Sequence, residues 1–323
     1  MIKDYEGAHR LAKLNPYNSV VKVFDIQTDK ILTGIKNISS IPHSLMDKLS
    51  RQGFCLHTID KKSQLAGRAV DTEMINPITG NYMSGSSSGT AVNVFAGIND
   101  LGIGNDGGGS VLAPAMCVNI IGFISPLIEA DRQQNYKANT DGMITGNSLG
   151  FMVRDRKILL KTIKCSLNIE PAEKCGIVFS DKHYDGIDSQ IIDIMDKHAP
   201  RIELTNYLVD ILKKCDILMV TEGPVDIHGF GDSLFGHFDE RAKEIQKQAN
   251  KGYVRVCNPA QATALCLPQR GLGMSTLLMC ESKPEKIAQL LKLAEKIEDV
   301  HDELIERYFL NYESYFMKGY QEE

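Results

Sequence analysis

Apolar positions along the chain fall into short alternating runs separated by stripes spaced three and four residues apart. Lys30 to Lys36 (KILTGIK) alternates as a half-buried strand does, and Ser44 to Arg51 leads as a short helix through Gly53 into a second strand, FCLHTID. Asn76 to Gly89 is too rich in Gly, Ser and Pro for either element. A helix follows from about Thr90 to Ala96, then the turn-rich LGIGNDGGGS and the apolar segment Val111 to Ile124. Further on, Gly150 to Ile163 has a helical pattern. Cys175 to Ser180, Asp216 to Val220 and Gly273 to Cys280 are strand candidates, with the charged helical SLFGHFDERAKEIQKQAN between the last two. Strands alternating with helices predict an α/β architecture. No internal repeat and no Pro/Ser-rich linker divides the chain, so one domain over residues 1–323 is expected.

The clearest stripe follows Lys283: Ile287, Leu290, Leu291, Ala294, Ile297, Leu304, Ile305, Tyr308 and Tyr312 share one helical face. That face must be covered. Packing on its own domain is the simpler solution, and a second copy of the chain, giving a homo-oligomer through this C-terminal helix, is the alternative.

Composition narrows the function classes. With 43% hydrophobic and 24% charged residues, the chain has the make-up of a globular protein large enough to bury a core without disulfide or metal staples. A net charge of -5 provides no basic stripe for a phosphate backbone, so nucleic acid is not expected as a partner. The eight cysteines are scattered with no C-x-x-C pair, as buried reduced thiols would be. The N-terminus is too polar for a signal peptide, and no apolar run approaches the roughly 20 residues that span a bilayer. A cytoplasmic protein without membrane contact is the expectation.

Two segments concentrate Gly and Ser beyond what helix or strand tolerates: Ser84-Gly85-Ser86-Ser87-Ser88-Gly89 and Gly104-Asn105-Asp106-Gly107-Gly108-Gly109-Ser110. Backbone of this kind can turn its N–H groups toward an anion or an oxyanion. The literal G-x-G-x-x-G at Gly102, Gly104 and Gly107 is a weak phosphate signal, because a helix-like segment precedes it and Pro114 follows closely. No lysine follows the glycines, which excludes a Walker loop.

Taken together, the two loops resemble the core of the amidase signature family, whose pattern is a G-G-S-S-G-G loop, a short helix, and G-T-D-x-G-G-S-[IV]-R-x-P-A. Here the corresponding stretches are SGSSSG at Ser84 to Gly89 and GNDGGGSVLAPA at Gly104 to Ala115, with Ser86 and Ser110 separated by 24 residues, the family spacing. Gly34-Ile35-Lys36-Asn37 occupies the place of the family's V-K-D motif. Asn147 to Asp155, DILMVTEGP and CNPAQATALCLP are similar to later family segments, the last of them a loop. The resemblance covers about residues 30–298 and leaves a C-terminal helical extension, 299–323, unmatched.

This resemblance implies a central mixed β-sheet covered by helices on both faces. It implies an amidase-type serine hydrolase with a small-molecule amide substrate and no cofactor or metal, hydrolysing the amide or transferring its acyl group. Ser110 would be the nucleophile, Ser86 and Lys36 its proton relay, and the N–H groups of Gly107, Gly108, Gly109 and Ser110 the oxyanion hole. The relay serine follows a cis peptide in the family, here Gly85–Ser86. For Lys36 to act as a base it must be neutral, hence buried. None of the eight histidines lies in either loop, which fits a Ser-Ser-Lys arrangement.

The chain also departs from the pattern. It is shorter than most members between Lys36 and Ser86 and again after Asp155, and Leu112 replaces the family's Arg. Loss of that charge predicts a preference for neutral acyl groups, unless another cation such as Arg154 or Arg270 takes over. The alternative to an enzyme is a catalytically silent protein retained for binding or assembly.

Overall fold

The computed structural model describes residues 4–63, 70–132, 137–138, 141–231, 233–300, 302–303 and 305–309. The first half runs α1 (Tyr5–Leu14), β1 (Val20–Val23), β2 (Ile31–Lys36), α2 (His43–Ser50), β3 (Phe54–Asp60), the hairpin β4 (Val70–Ile75) and β5 (Tyr82–Ser84), α3 (Ser88–Phe95), β6 (Leu101–Asp106), α4 (Leu112–Cys117) and β7 (Ile121–Ser125). A small hairpin, β8 (Lys137–Ala138) and β9 (Ile144–Thr145), precedes β10 (Ser148–Val153), α5 (Arg156–Leu167), β11 (Val178–Ser180), β12 (Gln190–Ile191) and α6 (Arg201–Leu212). The chain continues through β13 (Ile217–Glu222), α7 (Ser233–Gly236), α8 (Glu240–Gln248), β14 (Ala262–Pro268), β15 (Ser275–Glu281) and α9 (Pro284–Glu295).

Eleven strands form one mixed sheet in the order β1, β3, β2, β6, β10, β7, β14, β15, β13, β11, β12. The triplets β3–β2–β6 and β13–β11–β12 are parallel, and the strands between them are antiparallel. Successive side chains of a strand point to opposite faces, and the central strands are apolar on both. In β13, Leu218 and Val220 enter one core while Ile217 and Met219 enter the other; β15 divides in the same way, Leu277 and Met279 against Leu278 and Cys280. Helices α3, α4 and α6 cover the first face, and α2, α5 and α9 the second. The chain is therefore α/β, with helices on both faces of a mixed sheet.

Burial on both faces also explains where periodicity misleads. LGIGND is strand β6 and not turn, Gly150 to Val153 belongs to β10 and not to a helix, and ATALCLP is strand β14 within a segment expected to be loop. All six residues of β10 are buried, so no polar alternation marks it. The helix expected from Gly150 begins only at Arg156, where Asp155 caps it by accepting the Lys157 N–H at 2.7 Å. The apolar segment Val111 to Ile124 divides into α4 and most of β7.

The C-terminal stripe is not one helix. Helix α9 ends at Glu295 and buries Ile287, Leu290, Leu291 and Ala294 in the second core, whereas Ile305 lies in the first core and Phe309 packs against it. Ile287 and Ile305 thus lie on opposite faces of their own sheet, and residues 296–300, which follow α9, are not helical. Leu304, Tyr312 and the rest of the expected extension beyond 309 lie outside the described residues.

The G-x-G of β6 serves packing. A Cβ at Gly102 would stand 2.6 Å from Thr90 Cγ2 and 3.0 Å from Val94 Cγ2, and one at Gly104 would stand 2.7 Å from Ser87 Oγ. Helix α3 therefore lies directly on the backbone of β6, which brings the Ser86 loop close to the strand that carries the second serine loop. Gly102→Ala should cost about 1–3 kcal/mol by overpacking. Urea unfolding measures it; an unchanged midpoint would contradict this account of the α3 contact.

Candidate active site

Three neighbouring elements deliver the expected residues. Lys36 ends β2, Ser86 lies in the turn that opens α3, and Ser110 lies in the turn between β6 and α4. Parallel pairing of Gly34 with Gly102 and Ile35 with Ile103 sets the end of β2 beside that of β6. Lys36, only 2% exposed, donates from Nζ to Ser86 Oγ at 2.6 Å and to Asn105 Oδ1 at 2.7 Å. Among the described residues no hydrogen bond joins the Ser86 and Ser110 hydroxyls. Their loops are tied through backbone, the Ser87 N–H donating to the Ser110 C=O at 3.3 Å.

The expected cis peptide is absent. The Gly85–Ser86 bond is trans, and among the described residues the cis bond is Gly223–Pro224. The chain turns instead at Gly85, whose φ of 126° favours glycine and whose missing Cβ leaves room for Pro114 Cδ, 2.6 Å from where a Cβ would be. Ser88 fixes the same turn by donating from Oγ to the Gly85 C=O at 2.6 Å. Ser84 is held from the other side: its N–H and Oγ donate to the buried Asp226 at 3.0 and 2.6 Å, and Lys251 donates to its C=O at 3.1 Å.

Asp106 organises the second loop. Its buried carboxylate accepts from the N–H groups of Gly108 at 2.9 Å, Gly109 at 2.6 Å, Val111 at 2.7 Å and Leu112 at 3.4 Å. An Asp ahead of three glycines is the local signal for such a turn. Two of the four expected oxyanion donors, Gly108 and Gly109, are thereby committed to Asp106, while the N–H groups of Gly107 and Ser110 make no bond to it. Motif reading alone misses this division, and it also misses Asn105 as the second partner of Lys36.

Burial lowers the Lys36 pKa from 10.5 to about 7; the Asp106 carboxylate opposes the shift and Lys62 adds to it. Behind the strand, Asp60 is buried in a polar network, accepting from Thr58 Oγ1 and Asn93 Nδ2, each at 2.6 Å. Desolvation raises its carboxyl to about 7, partly offset by those bonds.

The Gly107 to Ser110 loop forms one wall of a cavity of about 1080 Å³ that also reaches Gly85. Arg201, Lys243, Lys247, Lys251 and Arg255 also line it. Leu112 is fully buried in the core, Arg154 pairs with Glu306 at 3.2 Å, and neither Arg154 nor Arg270 lines the cavity. Among the described residues no group of three or more His, Cys, Asp or Glu side chains could hold a metal ion, and no helix is long and apolar enough to cross a membrane.

Comparison with known proteins agrees with this architecture. The family model described as Amidase matches residues 71–127, a segment that holds both serine loops and leaves Lys36 outside it. No curated protein matches the chain by sequence. Solved structures with a similar fold include an amidase at 14% identity and TM-score 0.63, covering 90% of this chain and 94% of that one. A 6-aminohexanoate cyclic dimer hydrolase complexed with its substrate is similar at 12% identity and TM-score 0.63, with 90% and 92% covered. A component of the glutamyl-tRNA(Gln) amidotransferase from Thermotoga maritima is similar at 12% and 0.60, with 91% and 92% covered. At these identities the likeness is one of fold.

Two outcomes follow from the geometry. Asp106→Ala strands buried N–H donors and should destabilise the chain by at least about 2 kcal/mol, read by chemical denaturation; a change within about 0.5 kcal/mol would contradict the role given to Asp106. Lys36 binds its proton more weakly folded than unfolded, so stability should rise as pH climbs from about 7 to 10.5, with the full penalty present below pH 7. Unfolding of wild type and Lys36→Met across that range should show wild type gaining on the variant as pH rises. A pH-independent difference would contradict the burial argument.

Proposed function

We propose that this chain, which has the amidase-signature fold and an Amidase family match over residues 71–127, is an amidase-type serine hydrolase acting on a small amide. The observation that carries the reading is the 2.6 Å contact between the buried Lys36 amine and Ser86 Oγ, beside the loop that holds Ser110. With Lys36 neutral, its lone pair faces the Ser86 hydroxyl while an N–H donates to Asn105. Ser110 Oγ attacks the amide carbon as its proton passes to Ser86 and the Ser86 proton passes to Lys36. The tetrahedral oxyanion is held by the N–H groups of Gly107 and Ser110, each such donor being worth about 3–4 kcal/mol in comparable sites. Collapse of that intermediate breaks the C–N bond, and the leaving amine takes the proton back from Lys36 through Ser86. Water then attacks the Ser110 ester by the same relay, releasing the acid and restoring the serine; attack by another nucleophile would make the enzyme an acyltransferase.

The trans Gly85–Ser86 peptide and the missing Ser86–Ser110 hydrogen bond favour a second reading, a catalytically silent protein retained for binding or assembly. A neutral fluorophosphonate probe separates the two. The hydrolase should be labelled covalently, and Ser110→Ala should abolish labelling; an unlabelled wild-type chain would support the silent protein.

The rate of labelling, and of amide turnover, should rise with pH through about 7 and level off as Lys36 loses its proton. Lys36→Ala should lose that limb and about 10²–10⁴-fold in rate, and Lys36→Arg should not restore it, because guanidinium stays protonated. Wild-type rate and pH profile in Lys36→Ala would show Lys36 to be a bystander.

A further inference from the structure

The cavity beside the serine loops is lined by cationic side chains although the whole chain carries a net charge of -5. Five lysine and arginine side chains line the cavity against two carboxylates, Asp141 and Asp196. Both acids are engaged locally: Asp141 Oδ2 pairs with Arg201 Nη1 at 2.9 Å, and Asp196 Oδ1 accepts the His198 N–H at 3.0 Å. Elsewhere on the rim Lys243 pairs with Glu240 at 2.6 Å, and Lys251 lies 3.6 Å from Asp226.

Arg201 touches the Gly107 to Ser110 loop. Its side chain is 10% exposed and is fixed by Asp141 at Nη1 and by the Arg255 C=O, which accepts from Nε at 3.1 Å. Nη2 is left over the glycines: it would lie 2.0 Å from a Cβ at Gly108, and its one contact there is a long 3.5 Å bond to the Gly107 C=O. The second arginine, Arg255, donates from Nη2 to the Lys197 and Ala199 C=O groups at 3.0 and 2.5 Å, and its Nε is buried without an acceptor. Helix α6 starts on the same wall, and its N-cap residue, Pro200, supplies no side-chain cap. Orphan N–H groups and the positive end of the helix dipole therefore add to the charge of the two guanidiniums.

We infer that this cavity takes an amide bearing a carboxylate, and that Arg201 is the specificity-determining residue that binds that carboxylate within reach of the Ser110 loop. The word amide rests on the hydrolase reading; the carboxylate site stands on the cavity wall. With Nη1 and Nε held by Asp141 and the Arg255 C=O, the nearly unengaged Nη2 arm can donate a charge-assisted hydrogen bond to a carboxylate oxygen, and the surrounding positive field concentrates anions in the cavity. The preference is thus the reverse of the one that Leu112, in place of an Arg, would predict from sequence, because the charge is delivered from α6.

Calorimetry on the Ser110→Ala protein, with glutarate and its neutral counterpart glutaramide as probes, tests this without any turnover. Glutarate should bind at least about tenfold more tightly, and the preference should shrink when salt is raised from about 50 to 500 mM. Adding Arg201→Gln should remove most of the preference, and adding Lys247→Gln, at an exposed position on the rim, should reduce it about two- to threefold. Equal affinities, no binding of either probe at about 10 mM, or an undiminished preference in the Arg201→Gln protein would overturn the inference. Fluorophosphonate labelling of the wild-type chain keeps the two readings apart. A labelled chain with no preference for glutarate loses the carboxylate site alone, and a chain that prefers glutarate but is never labelled loses the hydrolase reading alone.

Discussion

The arrangement depends on an amine held out of water. Lys36 is buried at the end of β2 with a serine hydroxyl and an amide oxygen as its hydrogen-bond partners and, among the described residues, no carboxylate bonded to it. A protonated lysine in that position lacks the solvation or ion pair that would stabilise its charge, so the neutral form gains. Asp106 could have restored the charge by pairing with it, but its oxygens are occupied by four backbone N–H groups of the neighbouring loop. One carboxylate therefore shapes the Ser110 turn and at the same time is kept from pairing with the lysine.

The scaffold holds this arrangement by close approach. Glycine at positions 102 and 104 lets α3 lie on β6, Gly85 lets the Ser86 turn lie on Pro114, and parallel pairing of β2 with β6 sets Lys36 beside Asn105. The second half of the sheet contributes differently. It carries α6, and the start of that helix brings Arg201 into the cavity wall, where its guanidinium reaches the Gly107–Gly108 backbone.

Much of the site was legible because it is local in sequence. Two Gly/Ser loops with a short helix between them mark the site, and it is their resemblance, with that of Gly34 to Asn37, to the amidase signature pattern that singles out Ser86, Ser110 and Lys36; the structure brings Lys36 and Ser86 into contact. The division of the N–H groups in the glycine loop was not legible, since it depends on which way the Asp106 side chain folds back. Arg201 and Arg255 were invisible for another reason: they lie far along the chain from the serines and join them only through the sheet topology. Periodicity failed where strands are apolar on both faces, as in β10 and β14, and where the stripe beginning at Ile287 continued across a break that sends Ile287 and Ile305 to opposite faces. At Gly85–Ser86 the family pattern pointed to a cis peptide where this chain has a trans one.

The most direct test of the account is the titration of the Lys36 amine itself, followed by NMR of the protein carrying ¹³C- and ¹⁵N-labelled lysine, with Lys36→Met to assign the resonance. Burial of the amine predicts a midpoint at about pH 7, well below that of free lysine. A Lys36 resonance that titrates with the other lysines, near 10.5, would contradict it.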